Sequence, residues 1–159
     1  GGIILDDIHE IDAAQWLLGK VINVLAVKDN QSVLGIDVEE SADIIAKHVS
    51  GIRSVFHMDY LQRAYSRKYF IYGTEGTIVW DFKENNVKVY TASTKEWQEF
   101  KFGIYMNSLE EMYKDEILHF LESVKHKRQT VLTVAGGAQV LKVALASHES
   151  ADQNKLVKL

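Results

Sequence analysis

Asp6, Asp7, His9 and Asp12 crowd into seven consecutive positions near the front of the chain. Histidine exchanges protons near neutrality, because its unperturbed pKa is about 6.5. A carboxylate one helical turn away would hold its tautomer and raise its proton affinity. His9, Asp12 and Trp16 follow one another at offsets of three and four, which places them on one helical face where His9 and Asp12 can touch without competing for the core. His9 has two readings, a cap or packing residue and a general acid/base. The pair His9-Glu10 also invites a zinc-protease reading, but that motif needs a second histidine four residues on, and position 13 is Ala13. His48, His57, His119, His126 and His148 show no ligand-like spacing, so no metal site is expected.

A second cluster spans Asp59-Tyr60-Leu61-Gln62-Arg63-Ala64-Tyr65-Ser66-Arg67. Aromatic rings beside an amide and guanidinium groups suit a polyhydroxylated ligand, with Tyr60, Gln62 and Arg63 as the contacts. The plainer reading is a polar strand rim with cross-strand Tyr/Arg pairs. Arg63, Arg67 and Lys68 form a basic strip, either a solvated face or an anion or sugar contact. Gly73-Thr74-Glu75-Gly76 lies between two strand-like runs and reads as a turn; a phosphate cradle would need a following helix. Gly136-Gly137 reads as small residues for close packing. No dinucleotide fingerprint occurs in the sequence.

These residues need elements to hold them. Ile3 to Leu5 reads as a buried strand end, with Asp6 or Asp7 as the N-cap of a helix. Ile8, Ile11, Ala14 and Leu18 make that helix's apolar face, and Gly19 ends it. Strands are expected at Val21 to Val27, Ile36 to Val38, Ala42 to Val49, Ile52 to Tyr60, Tyr69 to Tyr72, Thr77 to Phe82, Val87 to Tyr90 and Trp97 to Phe102. The turns between them are Asp29-Asn30, Ser50-Gly51, Gly73 to Gly76 and Asn85-Asn86. Short turns dictate antiparallel pairing. Ser108-Leu109-Glu110-Glu111 is a capping box. The helix it opens carries Met112, Ile117, Phe120, Leu121 and Val124 to about Lys125. Thr133 caps a last helix in which Ala138, Leu141, Leu145 and Ala146 should face inward. A helix, a meander of strands and two helices read as one α+β layer pair.

The bulk numbers narrow the function. A chain of 159 residues fits one domain, residues 1–159, with room for a real core. Its net charge of -4 disfavours nucleic acid. Cysteine is absent, which removes disulfides and thiolate chemistry and fits a reducing, cytoplasmic setting. No apolar run approaches the ~18 residues of a membrane span. The abrupt start without methionine reads as a piece of something longer.

The run Gly1-Gly2-Ile3-Ile4-Leu5-Asp6-Asp7-Ile8-His9-Glu10-Ile11-Asp12, with Trp16-Leu17-Leu18-Gly19, resembles the start of the C-terminal domain of the glucose–fructose oxidoreductase / inositol dehydrogenase (Gfo/Idh/MocA) family. Asp59 to Arg63 and Gly73 to Asp81 are similar to the same domain in members linked to sugar-nucleotide metabolism. The resemblance covers nearly the whole chain. It implies an open, mostly antiparallel β-sheet with helices on one face, used for substrate binding and oligomerisation. It also implies a missing N-terminal Rossmann domain that binds NAD or NADP and carries a lysine acid/base. The implied reaction of the intact protein is oxidation of a secondary hydroxyl of a sugar, sugar nucleotide or cyclitol. By the same resemblance His9 is the proton-transfer residue. The family's aspartate stands four residues before its histidine; here that position is Leu5 and the acid is Asp6, which either reaches the site or caps the helix. Asp12, Tyr60, Gln62 and Arg63 would contact substrate. The remaining implications are a homodimer or tetramer through the sheet, and no cofactor binding or turnover by this piece alone. The alternative is a non-catalytic sugar-binding or assembly module on the same fold.

Overall fold

A computed structural model describes residues 1–29, 33–102 and 109–159. They fall into two compact units: Gly1–Gln62 with Val131–Leu159, and Arg63–Thr130. The fold is α+β with antiparallel sheets, and the strands divide into two sheets of four.

The first unit begins with helix α1 (Ile3–Asp6) and helix α2 (Ile8–Leu18). The expected strand end at Ile3 to Leu5 is therefore a helical turn. A three-residue apolar run cannot distinguish a strand from one buried turn, and the backbone decides. The N–H groups of Leu5 and Asp6 both donate to the Gly2 carbonyl, and Ile3 donates to the carbonyl of Glu39. Gly2 makes this entry possible: its φ is +114°, and a Cβ there would lie 2.4 Å from the Glu39 carboxylate. Asp7 occupies the N-cap position of α2, but its side chain makes no capping bond. Gly19 ends α2 with φ +89°, as expected.

Strands β1 (Val21–Asp29), β2 (Ser41–His48) and β3 (Arg53–Asp59) follow, joined between β2 and β3 by a tight turn at Ser50-Gly51. Helix α4 (Val134–Gln153) and strand β8 (Val157–Lys158) complete the unit, and the sheet order is β3-β2-β1-β8. β8 was not expected; two residues carry no periodicity to read. Ile36 to Val38 is loop rather than strand. The turn expected at Asp29-Asn30 extends outside the described residues.

One face of this sheet is buried. Val21, Val24, Ala26, Ala42, Ile44, Ala46, Met58 and Val157 meet Ile3, Ile4 and Ile11 from α1 and α2. From α4 come Val140, Val143, Ala144 and Ala146. The inward face of α4 is thus rotated from the expected one: Ala146 is buried, but Ala138, Leu141 and Leu145 are exposed. Two serines hid the true face. Ser147 and Ser150 are fully buried. Ser147 Oγ donates to the Val143 carbonyl within the helix. Ser150 Oγ accepts from the Ala26 N–H at 2.9 Å and donates to the Lys155 carbonyl at 2.6 Å. Satisfied hydroxyls of this kind let a polar residue sit where an apolar one is expected. Thr133 caps α4 as expected, accepting from the Gly136 N–H at 3.1 Å.

The second unit is a meander of β4 (Lys68–Gly73), β5 (Gly76–Asp81), β6 (Asn86–Thr91) and β7 (Glu96–Lys101), paired in that order, and helix α3 (Leu109–Lys125). Gly73 pairs with Gly76 across the expected turn. A Cβ on Gly76 would lie 2.0 Å from the Tyr90 carbonyl oxygen, so close strand approach requires glycine there. The N-terminal half of the capping box, Ser108, lies outside the described residues. The apolar stripe of α3, including Ile117, Phe120 and Val124, is exposed. No described helix is long and apolar enough to cross a membrane.

Candidate functional site

Asp6 ends α1, and its carboxylate faces two neighbours. Gly1 lies so close that a Cβ there would stand 2.1 Å from Asp6 Oδ1. On the other side the Tyr60 hydroxyl donates to Asp6 Oδ2 at 2.5 Å. Tyr60 follows β3 directly. Its N–H donates to the Glu40 carbonyl at 2.9 Å, and its ring packs against the buried core. Burial first, then the hydrogen bond to Asp6 and the charges of Asp6, Asp7 and Glu39, push the Tyr60 phenol well above the ordinary tyrosine range. The phenol therefore stays protonated and acts as donor.

His9 lies one residue into α2 and its side chain is 51% exposed, so the ring is accessible to solvent. Its Nε2 lies 3.1 Å from Glu10 Oε1. An acid beside His9 is thus the adjacent Glu10. Asp12 is half-buried on α2.

Gln62 enters the site region through its backbone: its N–H donates to Asp59 Oδ1 at 2.5 Å, closing a turn after β3. Asp59 also pairs with His57 Nε2 at 3.3 Å, while Asp43 takes His57 Nδ1 at 2.8 Å. The two carboxylates raise the His57 pKa, the Asp43 hydrogen bond most of all. Arg63 is exposed and opens the second unit. The structure therefore brings Asp6 and Tyr60 together and leaves the Gln62 side chain exposed.

Two buried acids were not singled out in the sequence. Glu39 is 5% exposed and accepts from the Ile4 N–H at 3.3 Å, so it anchors α1. It also lies 3.5 Å from His148 Nε2, whose Nδ1 faces Lys28 Nζ at 3.3 Å; Lys28 continues to Asp152 at 2.7 Å. Glu40 is fully buried and accepts from the N–H groups of Val33 and Leu34. The only sequence signal was an adjacent pair of acids ahead of a strand. His48, also fully buried, serves structure: Nδ1 donates to the Gly19 carbonyl at 2.5 Å, and Nε2 lies 2.9 Å from Ser54 Oγ.

Among the described residues no three histidine or acidic side chains converge as metal ligands. Nor, among the described residues, does a glycine-rich loop lead from a strand into a helix as a dinucleotide cradle would. The Gly73–Gly76 turn joins two antiparallel strands, and Gly136 and Gly137 lie within the first turn of α4.

The chain belongs to the Gfo/Idh/MocA oxidoreductase family: residues 1–159 match the model for the "Oxidoreductase family, C-terminal alpha/beta domain". It is 26% identical over 161 aligned positions to the "Uncharacterized oxidoreductase YrbE" of Bacillus subtilis strain 168, covering 94% of this chain and 46% of that protein. Its fold is similar to levoglucosan dehydrogenase, solved with NADH and levoglucosan, with a TM-score of 0.82 and 20% identity over 96% of this chain and 48% of that one. It is also similar to the aldose–aldose oxidoreductase of Caulobacter crescentus, solved with glycerol, with a TM-score of 0.83 and 19% identity over 100% and 48%. The chain spans about half the length of each of these relatives.

Proposed function

We propose that this chain is the substrate-binding and oligomerisation domain of an NAD(P)-dependent dehydrogenase that oxidises a secondary hydroxyl of a sugar-type substrate. The observation that carries the reading is the pair of functional groups at the front of the first unit: the Tyr60-bound Asp6 carboxylate and the accessible His9 imidazole. Family membership supports the oxidoreductase class, and levoglucosan beside NADH in a similar fold supports the substrate class and the cofactor.

The nicotinamide, held by an N-terminal dinucleotide-binding domain, would take the hydride. This chain's part is the proton. His9 accepts it from the substrate hydroxyl, and Glu10 provides the protonated ring with a counter-charge at Nε2. Asp6 accepts a hydrogen bond from a substrate hydroxyl, and Asp12 and Gln62 contribute further substrate contacts. The partner surface is the outer face of the first sheet. Ile22, Leu25, Val27, Ile45 and Val55 are exposed there between Asp43, Lys47 and Arg53, and a second copy of the domain would cover them.

The test uses the full-length protein with NAD+ or NADP+ and four probes: levoglucosan, L-sorbose, D-glucose and myo-inositol. Reduction of the nucleotide is followed by absorbance. Replacing His9 with alanine should lower turnover on the order of 10²- to 10⁴-fold, the usual contribution of a positioned acid/base. Unchanged turnover removes His9 from the mechanism.

A further inference from the structure

Tyr60 and Asp6 are separated by 54 positions, and the fold joins them end to end. Both sides of the contact are fixed before any ligand arrives. A phenol has only two side-chain torsions. With the Tyr60 ring against the core and its N–H tied to the Glu40 carbonyl, the position of the hydroxyl follows. Asp6 is held by its N–H to the Gly2 carbonyl at 2.9 Å, and its Oδ1 lies against the bare Cα of Gly1.

The direction of the bond is fixed as well. The phenol is kept protonated by burial and by the neighbouring acids, and an ionised carboxylate can only accept. Tyr60 therefore occupies one acceptor site of Asp6 and restricts the rotation of the carboxylate. The carboxylate has about four lone-pair sites. Those left over are aimed by the hydroxyl that holds the group.

We propose that Tyr60 is a positioning residue: its hydroxyl holds the Asp6 carboxylate so that the remaining acceptor sites of Asp6 receive a hydroxyl of a polyol substrate. The inference rests on Asp6 belonging to the substrate site, and it moves Tyr60 from touching substrate to acting through Asp6. An aimed acceptor acts on the transition state more than on ground-state binding, since misplacement costs rate. The effect of losing the hydroxyl therefore falls on kcat and leaves KM nearly unchanged.

The experiment takes the full-length protein with the same nucleotides and four probes. Tyr60→Phe keeps the ring and removes the hydroxyl. It should lower kcat about tenfold or somewhat more, the usual worth of a hydrogen bond to a charged group. Asp6→Asn should lower it further, and Tyr60→Phe added to Asp6→Asn should cost nothing more. As a second variant, a fluorinated tyrosine at position 60 keeps ring and hydroxyl but loses its proton at lower pH. The variant should then lose kcat at an alkaline pH where the wild type, whose phenol stays protonated, keeps it; a purely structural ring would not cause this. Additive losses in the double variant, wild-type kcat in Tyr60→Phe, or identical alkaline profiles in the wild type and the fluorinated variant overturns the proposal. The two levels separate cleanly. If Asp6→Asn slows turnover and Tyr60→Phe does not, only the positioning role fails. If Asp6→Asn leaves turnover unchanged, or the wild type turns over no probe, the site reading fails and takes the positioning role with it.

Discussion

The two units of the chain solve the problem of staying folded by different means. Every buried apolar residue among those described belongs to the first unit, from Ile3 and Ile4 to Val143, Ala144 and Val157. In the second unit the buried side chains are polar: Asp81, Asn86 and Ser123. Its sheet is held by the backbone ladder, by Lys68–Asp81 at 2.7 Å and Asn86–Glu99 at 2.6 Å, and by aromatic pairs. Tyr69 lies 4.5 Å from Trp80 and Tyr90 5.3 Å from Trp97, centroid to centroid. Arg67 sits 5.3 Å from the Trp80 ring. Apolar burial resists local opening in proportion to area, whereas a partly exposed ladder opens more readily. The proposed acid/base residues ride on the well-packed unit, as a site that must hold geometry requires.

Three measurements put this contrast to the test. Ile44 is fully buried in β2. Ile44→Ala should destabilise the first unit by about 2–5 kcal/mol, and Phe70→Ala on half-exposed β4 by less than about 1 kcal/mol, both read from denaturant melts; equal costs would erase the contrast. Next, Gly76→Ala drives a Cβ into the Tyr90 carbonyl. It should cost about 1–3 kcal/mol, with faster amide exchange in β5 and β6 and unchanged exchange in β1 and β2. A global loss of protection would mean that the units open together.

The smallest expected effect concerns acid. Lys68 donating to Asp81, aided by the Glu84 and Lys83 N–H groups, holds the Asp81 carboxyl below the ordinary value of 3.8, against the opposing pull of burial. A lowered folded pKa contributes stability that is complete above that ordinary value and lost as pH falls through the lowered one. Amide protection in β4 and β5 should therefore fall below about pH 4 before that of β1 and β2, and Asp81→Asn should remove the difference. Identical acid profiles in wild type and variant would contradict it.

Much of the fold was legible because its signals are local. Alternation and turn residues located β1 to β7 with small boundary differences, and Thr133 announced α4. What stayed hidden depends on partners distant in sequence. The helical turn at Ile3–Asp6 needs the Glu39 carbonyl and carboxylate. The inner face of α4 needs Ala26 and Lys155 to satisfy Ser150. The same holds at the candidate site. His9 and Asp6 could be singled out by type and position, but no local pattern announces that Tyr60 would meet Asp6 rather than a ligand.

The thread from Ala26 to Ser150, with β8 laid along β1, has a consequence for how the molecule is made. The first unit is interrupted: its opening strands leave the ribosome long before α4 and β8, and the whole second unit is synthesised in between. Such a discontinuous arrangement pairs β1 with a strand far along the chain, and pairings of wide sequence separation are slow to form. During translation the nascent β1 edge must wait for the last helix, and that interval is when a chaperone would matter most.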